Sequence, residues 1–257
     1  MMSMLERVGP VALPVILLVL WELACKAFDI PPFVLPSPTM IAAALYENAY
    51  IIWFHSSQTL LTTVIGFAVA VGFGAVLGVL VGSSRLAYTS LYPLLVGFNS
   101  VPKVAIVPIL VVWFGIGTIP AVITAFMLSF FPIAVNVATG LATIETDLRD
   151  VLRSLGASQL DIVRKVGIPR SMPYLFASLK ISITLAFVGS VISETLASNR
   201  GIGTLMTQAS ANFRIPLVFA GLVVIALMGV LMYMIFAFIE RRMTGWATRG
   251  ATFGIGG

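Results

Sequence analysis

The sequence predicts an all-α integral membrane protein, and its composition carries that prediction. Hydrophobic residues form 59% of the chain and the mean hydropathy is +1.06. Charged residues form only 10%, against about 25% in a soluble globular domain. With so few polar side chains, a chain of 257 residues cannot cover a water-facing globule. The bilayer is therefore expected to be its solvent.

Six apolar runs are long enough to cross a membrane, because a hydrocarbon core about 30 Å thick needs about 20 apolar residues per helix. The predicted spans, within one domain covering 1–257, are 11–28, 59–82, 91–114, 120–142, 173–193 and 217–239. Glu22 and Lys26 interrupt the first run and no small-residue cleavage site follows, so we do not expect a cleaved signal. These two residues are four apart and are expected to pair.

The basic residues predict the orientation. With the N-terminus inside, ten of the 15 Lys and Arg fall in cytoplasmic segments, two in external segments and three within spans. Cytoplasmic loops carry an excess of Lys and Arg, so both termini and the loop 143–172 are expected in the cytoplasm. The net charge of +5 does not indicate nucleic-acid binding, because the basic residues form no single face.

Small residues recur every fourth position in the second span, which places them on one helix face. They are Gly66, Ala70, Gly74, Gly78 and Gly82. Such a stripe lets a neighbouring helix approach closely.

A short helix is predicted between the first two spans, in "LPSPTMIAAALYENA" at 35–49. Ser37 is expected to cap it, with Pro38 at its first position. Ile41, Ala44 and Leu45 are compatible with a helix lying on the membrane surface, and a plain connector is an equal alternative.

The loop 143–172 contains two predicted short helices joined at a small-residue bend. In the first helix, leucine and valine recur at positions i, i+3, i+4 and i+7, which places them on one helix face. The apolar face is Leu148, Val151, Leu152 and Leu155; the polar face is Arg149, Asp150, Arg153 and Ser154. Gly156 ends the first helix, and Ser158 with Asp161 has the form of a capping box that starts the second. Leu160, Val163 and Val166 continue an apolar face, and Gly167 and Pro169 are expected to stop that helix.

Two roles fit this loop. A basic amphipathic helix can anchor to anionic lipid. A helical bend can instead enter a groove of a soluble partner and bury Leu152 and Leu155 there. The small residues at the tip, Gly156 to Ser158, favour docking, because lipid anchoring has no need of them.

The loop resembles the cytoplasmic signature of bacterial ABC importer permeases: Glu-Ala-Ala, three residues, Gly, nine residues, then Ile-x-Leu-Pro. Here it reads 150–152, Gly156 and 166–169, with Asp in place of Glu and Val-Leu in place of the alanines. Further similarity lies in "LPSPT" at 35–39, "VPKVAIVPILVVWFGIG" at 101–117, "RSLGAS" at 153–158 and "GIG" at 201–203. These segments resemble the branch that imports sulfonates, taurine, nitrate or bicarbonate, with relatives for aromatic and pyrimidine compounds.

The resemblance implies a type I importer fold in the bacterial inner membrane, with the loop as the coupling helix. It assigns ATPase coupling to Asp150, Val151, Leu152, Arg153, Ser154, Leu155, Gly156, Ala157, Ser158 and Pro169. The implied partners are a second permease copy, two cytoplasmic ATPase subunits and an extracytoplasmic binding protein. No G-x-x-x-x-G-K-[ST] motif occurs, so ATP and Mg are expected on the ATPase subunits and no cofactor on this chain.

Ionisable and polar residues within spans mark a candidate substrate pathway, because a charge at the membrane centre costs at least about 2.5 kcal/mol. Lys103 stands between Pro102 and Pro108, which are expected to break the third span. Lys103 either attracts an anionic solute, or it has a structural role, in which it pairs with a carboxylate or marks a kink. The candidates are Asn99, Ser100, Lys103, Asn136, Ser182, Ser190 and Glu194.

Three other polar residues carry narrower expectations. Glu194 either gates the entrance or pairs with Arg200, Lys180 is expected to reach the cytoplasmic surface, and His55 is expected in an external loop with no catalytic or metal partner. One His and one Cys make a membrane-embedded enzyme improbable. A secondary transporter should show midplane carboxylates or an inverted repeat, and neither is clear. The expected cargo is a small anion, with a thiamine precursor, riboflavin or a phthalate-like compound as the alternative.

Overall fold

The computed structural model describes residues 4–143 and 151–248, which form helices α1 to α10. In chain order they are α1 (Met4–Ala27), α2 (Pro38–Glu47), α3 (Ala49–Gly82), α4 (Arg85–Ser100), α5 (Val107–Phe114), α6 (Thr118–Ala142), α7 (Gln159–Ile162), α8 (Ile168–Ala197), α9 (Ile202–Ala211) and α10 (Ile215–Thr248). A 3₁₀ turn, Lys103–Ile106, precedes α5, and a π-helical turn, Val163–Gly167, joins α7 to α8. Residues 151–154 are also helical.

Four helices of the described chain are long and apolar enough to cross a membrane. They are Ala49–Gly82, Thr118–Ala142, Leu160–Ala197 and Ile215–Thr244. The pair Arg85–Ser100 and Lys103–Phe114 makes a fifth candidate, bent by 70°. The bend falls at Val101 and Pro102, where proline was expected to break the third span. Helix α1 occupies the first predicted span, and the total of six remains a prediction.

Helix α6 lies at the centre of the bundle between α3 and α8, and the small-residue stripe of α3 faces it as predicted. A Cβ added at Gly66 would lie 2.6 Å from the Cβ of Ala125, and one at Gly78 would lie 2.7 Å from the carbonyl oxygen of Ala134. Only glycine permits these backbone approaches. The apolar core around them includes Phe67, Ala70, Ala125, Phe130, Ile133, Val137, Leu179, Ile183 and Phe187.

The contacts also fix the helix directions. Gly66 to Gly82 of α3 meet Ala125 to Leu141 of α6 in the same order, so these two helices run parallel. Gly140 of α6 meets Ser171 of α8, whereas Gly189 meets Thr124, so α8 runs antiparallel to both. One end of the bundle therefore carries Gly82 and the start of α8. The opposite end, called here the distal end, carries the start of α3 and the end of α8.

A second apolar cluster at the distal end joins α2, α3, α9 and α10. It contains Ile41, Ala44, Ile52, Ile202, Leu205, Ala209, Leu217 and Ala220. The predicted helix after Ser37 is thus packed into the protein through Ile41 and Ala44. The expected cap is wrong in detail: Ser37 makes no side-chain cap bond, and the Glu22 carboxylate accepts instead from the backbone N–H of Thr39 at 3.0 Å.

The helix after the charged bend does not stop at Gly167 and Pro169, contrary to the sequence prediction. It continues without interruption from Leu160 to Ala197. The turn Val163–Gly167 widens to π geometry, in which the Ile168 N–H bonds to the carbonyl oxygen of Val163. Such a wide turn accommodates a proline ring that would clash in a regular α-turn.

One ion pair lies within α1, and another joins α8 to α10. Lys26 and Glu22 pair at 2.9 Å as expected. Lys180 forms a salt bridge of 2.5 Å with Glu240, so its ammonium joins α8 to α10. Its reach to the cytoplasmic surface stays a prediction.

Candidate functional site

We call residues 150–169 the elbow, and its first helix ends in a glycine cap. Gly156 has φ +83, its N–H bonds to the carbonyl oxygen of Arg153 at 2.9 Å, and Ala157 N–H bonds to that of Leu152 at 3.0 Å. These two bonds define a Schellman motif, in which glycine is favoured because its φ is positive. Asp150, Arg149 and Leu148 lie outside the described residues.

The second helix of the elbow begins with the predicted capping interaction. The Asp161 N–H donates to Ser158 Oγ at 3.1 Å, and Ser158 Oγ donates to the Asp161 carboxylate at 2.5 Å. Asp161 also pairs with Lys165 at 3.1 Å. The bend is thus held by hydrogen bonds among near neighbours in the chain.

The elbow exposes apolar side chains. Leu155 is 78% exposed, Leu160 75% and Val151 56%, whereas Leu152 and Ala157 are half-buried. Ile162 is the buried residue of α7, whereas Leu160, on the predicted apolar face, is exposed. Pro169 lies in the first turn of α8.

The space around Gly156 is open. A Cβ at this position would meet no heavy atom within 4 Å in the described chain. The need for glycine therefore comes from the backbone angle, and the open space at the tip is available to another molecule.

Lys103 lies at the bend between α4 and α5, 7% exposed. Its Nζ donates to the backbone carbonyl oxygen and to the side-chain Oδ1 of Asn99, both at 2.9 Å. Among the described residues, no carboxylate pairs with Lys103. An ammonium has three N–H donors, and Asn99 supplies acceptors for two of them.

The remaining pathway candidates are dispersed along the bundle. Ser100 bonds to the carbonyl oxygen of Val96, and Asn136 to that of Pro132. Ser182 and Ser190 are fully buried on α8, and neither hydroxyl has a hydrogen-bond partner within the described chain. The structure does not gather these residues and Lys103 into one site.

Glu194 does not pair with Arg200, so that expectation is wrong. Glu194 is 1% exposed, and its carboxylate accepts from Thr59 Oγ1 at 2.8 Å. Arg200 instead stacks over the ring of Phe54, 4.8 Å from the centroid. The guanidinium therefore lies on the surface while the carboxylate faces inward.

His55 lies within α3, not in a loop, and is buried. Its Nδ1 is 2.9 Å from the carbonyl oxygen of Gly201. We call His55, Thr59, Thr62, Glu194 and residues 201–203 the Glu194 cluster.

Sequence reasoning missed this cluster, although a signal was present. His55, Thr59 and Thr62 fall at helical spacing on the same face as Gly66, so that polar residues continue the small-residue stripe. A buried carboxylate in a membrane chain requires such donors.

The described residues contain no group of three or more His, Cys, Asp or Glu side chains that could hold a metal ion.

These features define an integral membrane protein: a bundle of membrane-length helices with an exposed elbow at one end. Residues 70–245 match the family described as "Binding-protein-dependent transport system inner membrane component". The chain belongs to this family of ABC transporter permeases. It is a multi-pass inner-membrane protein and is not itself catalytic, and permeases of this family do not themselves bind cofactors.

Similar curated proteins differ in the solute that they are named for. The riboflavin transport system permease protein RibX of Chloroflexus aurantiacus is 30% identical, over 92% of this chain and 89% of that protein. The formylaminopyrimidine transport permease protein ThiX of Halalkalibacterium halodurans is 28% identical, over 94% and 96%. The taurine transport system permease protein TauC of Escherichia coli is 28% identical, over 91% and 87%.

The fold is similar to a solved transporter chain. A chain of the MetNI methionine ABC transporter, in an inward-facing conformation, has a TM-score of 0.56 and 22% identity. The similarity covers 78% of this chain and 97% of that one. The protein is thus an all-helical ABC importer permease, a class that works with an ATPase and a binding protein.

Proposed function

We propose that this permease forms the pathway for a small anionic solute and that its elbow docks into a cytoplasmic ATPase subunit. The observation that carries the docking proposal is the exposed apolar tip. Leu155 is 78% exposed beside a glycine-capped bend with open space around Gly156. Apolar side chains within a charged surface are typical of a docking helix.

The proposed assembly follows the positive-inside distribution of Lys and Arg. Both termini and the elbow lie in the cytoplasm, and the distal end faces the extracytoplasmic binding protein. Two permease copies pair, with one ATPase subunit below each elbow. Closure of the ATPase pair on ATP moves the elbows and alternates the pathway between two states.

Lys103 supports an anionic cargo. Lys103 is buried at the bend of the broken span, where Asn99 satisfies two of the three donors of its ammonium. Within the described residues it has no carboxylate partner, and a cation so placed favours an anion in its vicinity. Sulfonates, taurine, nitrate and bicarbonate all present an anionic oxygen group. In this proposal Asn99 and Ser100 lie beside the same route, and Asn136, Ser182 and Ser190 line it further along the bundle.

The second candidate cargo is a pyrimidine or aromatic compound. The names of RibX and ThiX, at 30% and 28% identity, favour it. Calorimetric titration of the cognate binding protein with taurine, alkyl sulfonates, nitrate, formylaminopyrimidine and riboflavin distinguishes the two. Binding of an anion alone supports the proposal, and binding of a neutral pyrimidine or flavin overturns it.

The docking proposal is tested by co-purification with the ATPase subunit. Leu155→Asp places a charge at the tip and is expected to lower recovery of the ATPase subunit by at least about tenfold, since one buried charge in an interface costs several kcal/mol. Leu86→Asp is the matched control. Leu86 is 77% exposed and lies at the same end of the bundle, at the start of α4. Equal recovery from both variants would contradict docking at the elbow.

A further inference from the structure

The carboxylate of Glu194 is buried at the distal end and is satisfied from two other helices. It accepts from Thr59 Oγ1 at 2.8 Å and Thr62 Oγ1 at 3.4 Å on α3, and from the Gly203 N–H at 3.3 Å in α9. No salt bridge in the described part of the chain involves it. The first turn of a helix favours a negative group. The start of α9 therefore stabilises the Glu194 carboxylate in place of the basic partner, Arg200, that was considered.

One hydroxyl connects three helices. The Ile202 N–H can only donate, so Thr59 Oγ1 accepts from it at 2.9 Å and directs its own proton to Glu194 at 2.8 Å. Thr59 belongs to α3, Ile202 to α9 and Glu194 to α8. A single threonine therefore links the ends of all three.

The loop before α9 is fitted closely around the carboxylate. Gly201 has φ +127, and a Cβ there would lie 2.1 Å from Cδ of Glu194. A Cβ at Gly203 would lie 2.6 Å from the carbonyl oxygen of Val191. His55 Nδ1 holds the same loop, within 3.2 Å of the Gly201 nitrogen. These contacts leave no room for a solute beside Glu194, which argues against the pathway role considered for it.

The helix that carries Glu194 begins at the elbow. It runs without interruption over the 38 residues Leu160–Ala197, a length of about 55 Å at 1.5 Å per residue. Its first residues follow the Ser158 cap, and Glu194 lies in its last turn. A displacement of the elbow therefore acts on one end of this helix, and the Glu194 cluster holds the other.

We propose that Glu194 is a positioning residue for transport: its cluster fastens the end of α8 to α3 and α9, so that movement of the elbow reaches the distal end of the bundle. The inference rests on the proposed function, because it takes the elbow as the ATPase docking site. Without the cluster, α8 would slip relative to α3 and α9, and elbow movement would no longer shift the loop at 198–201.

The experiment measures the distal end directly. Asn199 is exposed in that loop, and Cys25 is buried, so Asn199→Cys in a Cys25→Ser background offers one accessible thiol. The permease–ATPase complex is placed in nanodiscs, and labelling by a charged maleimide is timed with and without ATP and vanadate. Trapping the ATPase subunits with ATP and vanadate is expected to change the labelling rate of the thiol at 199 by at least about threefold, because the bundle shifts between two conformational states.

Glu194→Gln and Thr59→Val should abolish that response while leaving basal ATP hydrolysis and co-purification unchanged, because the elbow is intact. Thr59→Ser keeps the hydroxyl and should keep the response. A merely structural role would lower melting temperature and hydrolysis together. Should Glu194→Gln fail to fold, Thr59→Val, which removes one hydroxyl at nearly constant shape, decides the matter.

Two outcomes overturn the inference: a response in Glu194→Gln or Thr59→Val equal to that of the parent, or its loss in Thr59→Ser as well as Thr59→Val. If Leu155→Asp releases the ATPase subunit, yet Glu194→Gln shows the same labelling response as the parent, this inference alone fails. If the ATPase subunit stays bound to Leu155→Asp, the proposed function fails.

Discussion

The two ends of the helix from Leu160 to Ala197 are built in opposite ways. At the elbow, hydrogen bonds join residues no more than five positions apart, as between Ala157 N and Leu152 O, and Leu155 is exposed. At the distal end, the bonds from α3 join residues 132 to 146 positions apart, as between Thr62 and Glu194 or His55 and Gly201. The elbow is shaped by its neighbours in sequence and is open to a partner. The distal end is shaped by distant elements and is closed.

This difference separates two kinds of substitution. Changes at the elbow should alter function while the bundle stays folded, because few tertiary contacts depend on it. Changes in the interior of the bundle should cost stability first, because close-packed backbones cannot move apart locally.

The largest expected effect is that of Gly156→Arg on transport. Arginine at φ +83 strains the cap and fills the space at the tip, so solute uptake into vesicles should fall by at least about tenfold, the effect of losing about 1.4 kcal/mol or more of docking free energy. The melting temperature of the permease should not change. Gly156→Asn is the control, since asparagine accepts the left-handed region and should retain most uptake. Normal uptake by the arginine variant would show that the tip contacts no partner.

A middle-sized effect is expected from Gly66→Ala, in the packed interface of α3 with α6. Its Cβ would lie 2.6 Å from the Ala125 Cβ and 2.7 Å from the Val122 carbonyl oxygen. Overpacking of this kind costs about 1–3 kcal/mol, which thermal unfolding in detergent would record.

Gly72→Ala in the same helix is the matched control, because its Cβ would meet nothing within 4 Å. It should be neutral or stabilising by up to about 1 kcal/mol from helix propensity. Similar melting temperatures for the two alanine variants would mean that the stripe does not set the helix spacing.

The smallest effect is expected from Ser158→Ala, which removes the cap at Asp161. Loss of an N-cap costs about 1 kcal/mol. The loss should appear as faster hydrogen exchange of the Asp161 amide, with no change in the global melting temperature. A drop in global stability would place the elbow within the cooperative core and would weaken the contrast between the two ends.

Local signals predicted the elbow well. Gly156, Ser158 and Asp161 formed their cap and capping box because those motifs depend on residues a few positions apart. The stripe from Gly66 to Gly82 predicted a close helix contact for the same reason: a spacing of four fixes a helix face. The break at Pro102 followed from the missing N–H of proline.

The wrong predictions concern hydrogen-bond partners and a backbone distortion that the local sequence does not identify. Gly167 and Pro169 carry a stop signal, which a π-helical turn overrides. Glu194 was expected either to gate the entrance or to pair with Arg200, whereas hydroxyls on α3 and an amide of α9 satisfy it. Ser37 has the form of a cap, but Glu22 takes that role from α1. The partners of Glu194 and Thr39 depended on which helices lie side by side.

By itself, the sequence determined the membrane environment, the approximate helix positions, the glycine-bent elbow and the face on which α3 packs. These depend on composition, hydrophobic periodicity and short-range hydrogen bonds, all of which act within a few residues. Only the tertiary structure decided which groups satisfy Glu194, that α6 lies between α3 and α8, and that one helix runs from the elbow to the distal end. The donors of Glu194 come from residues more than a hundred positions away, and the place of α6 is set by contacts between separate helices. A buried polar group takes whichever donors the packing brings to it.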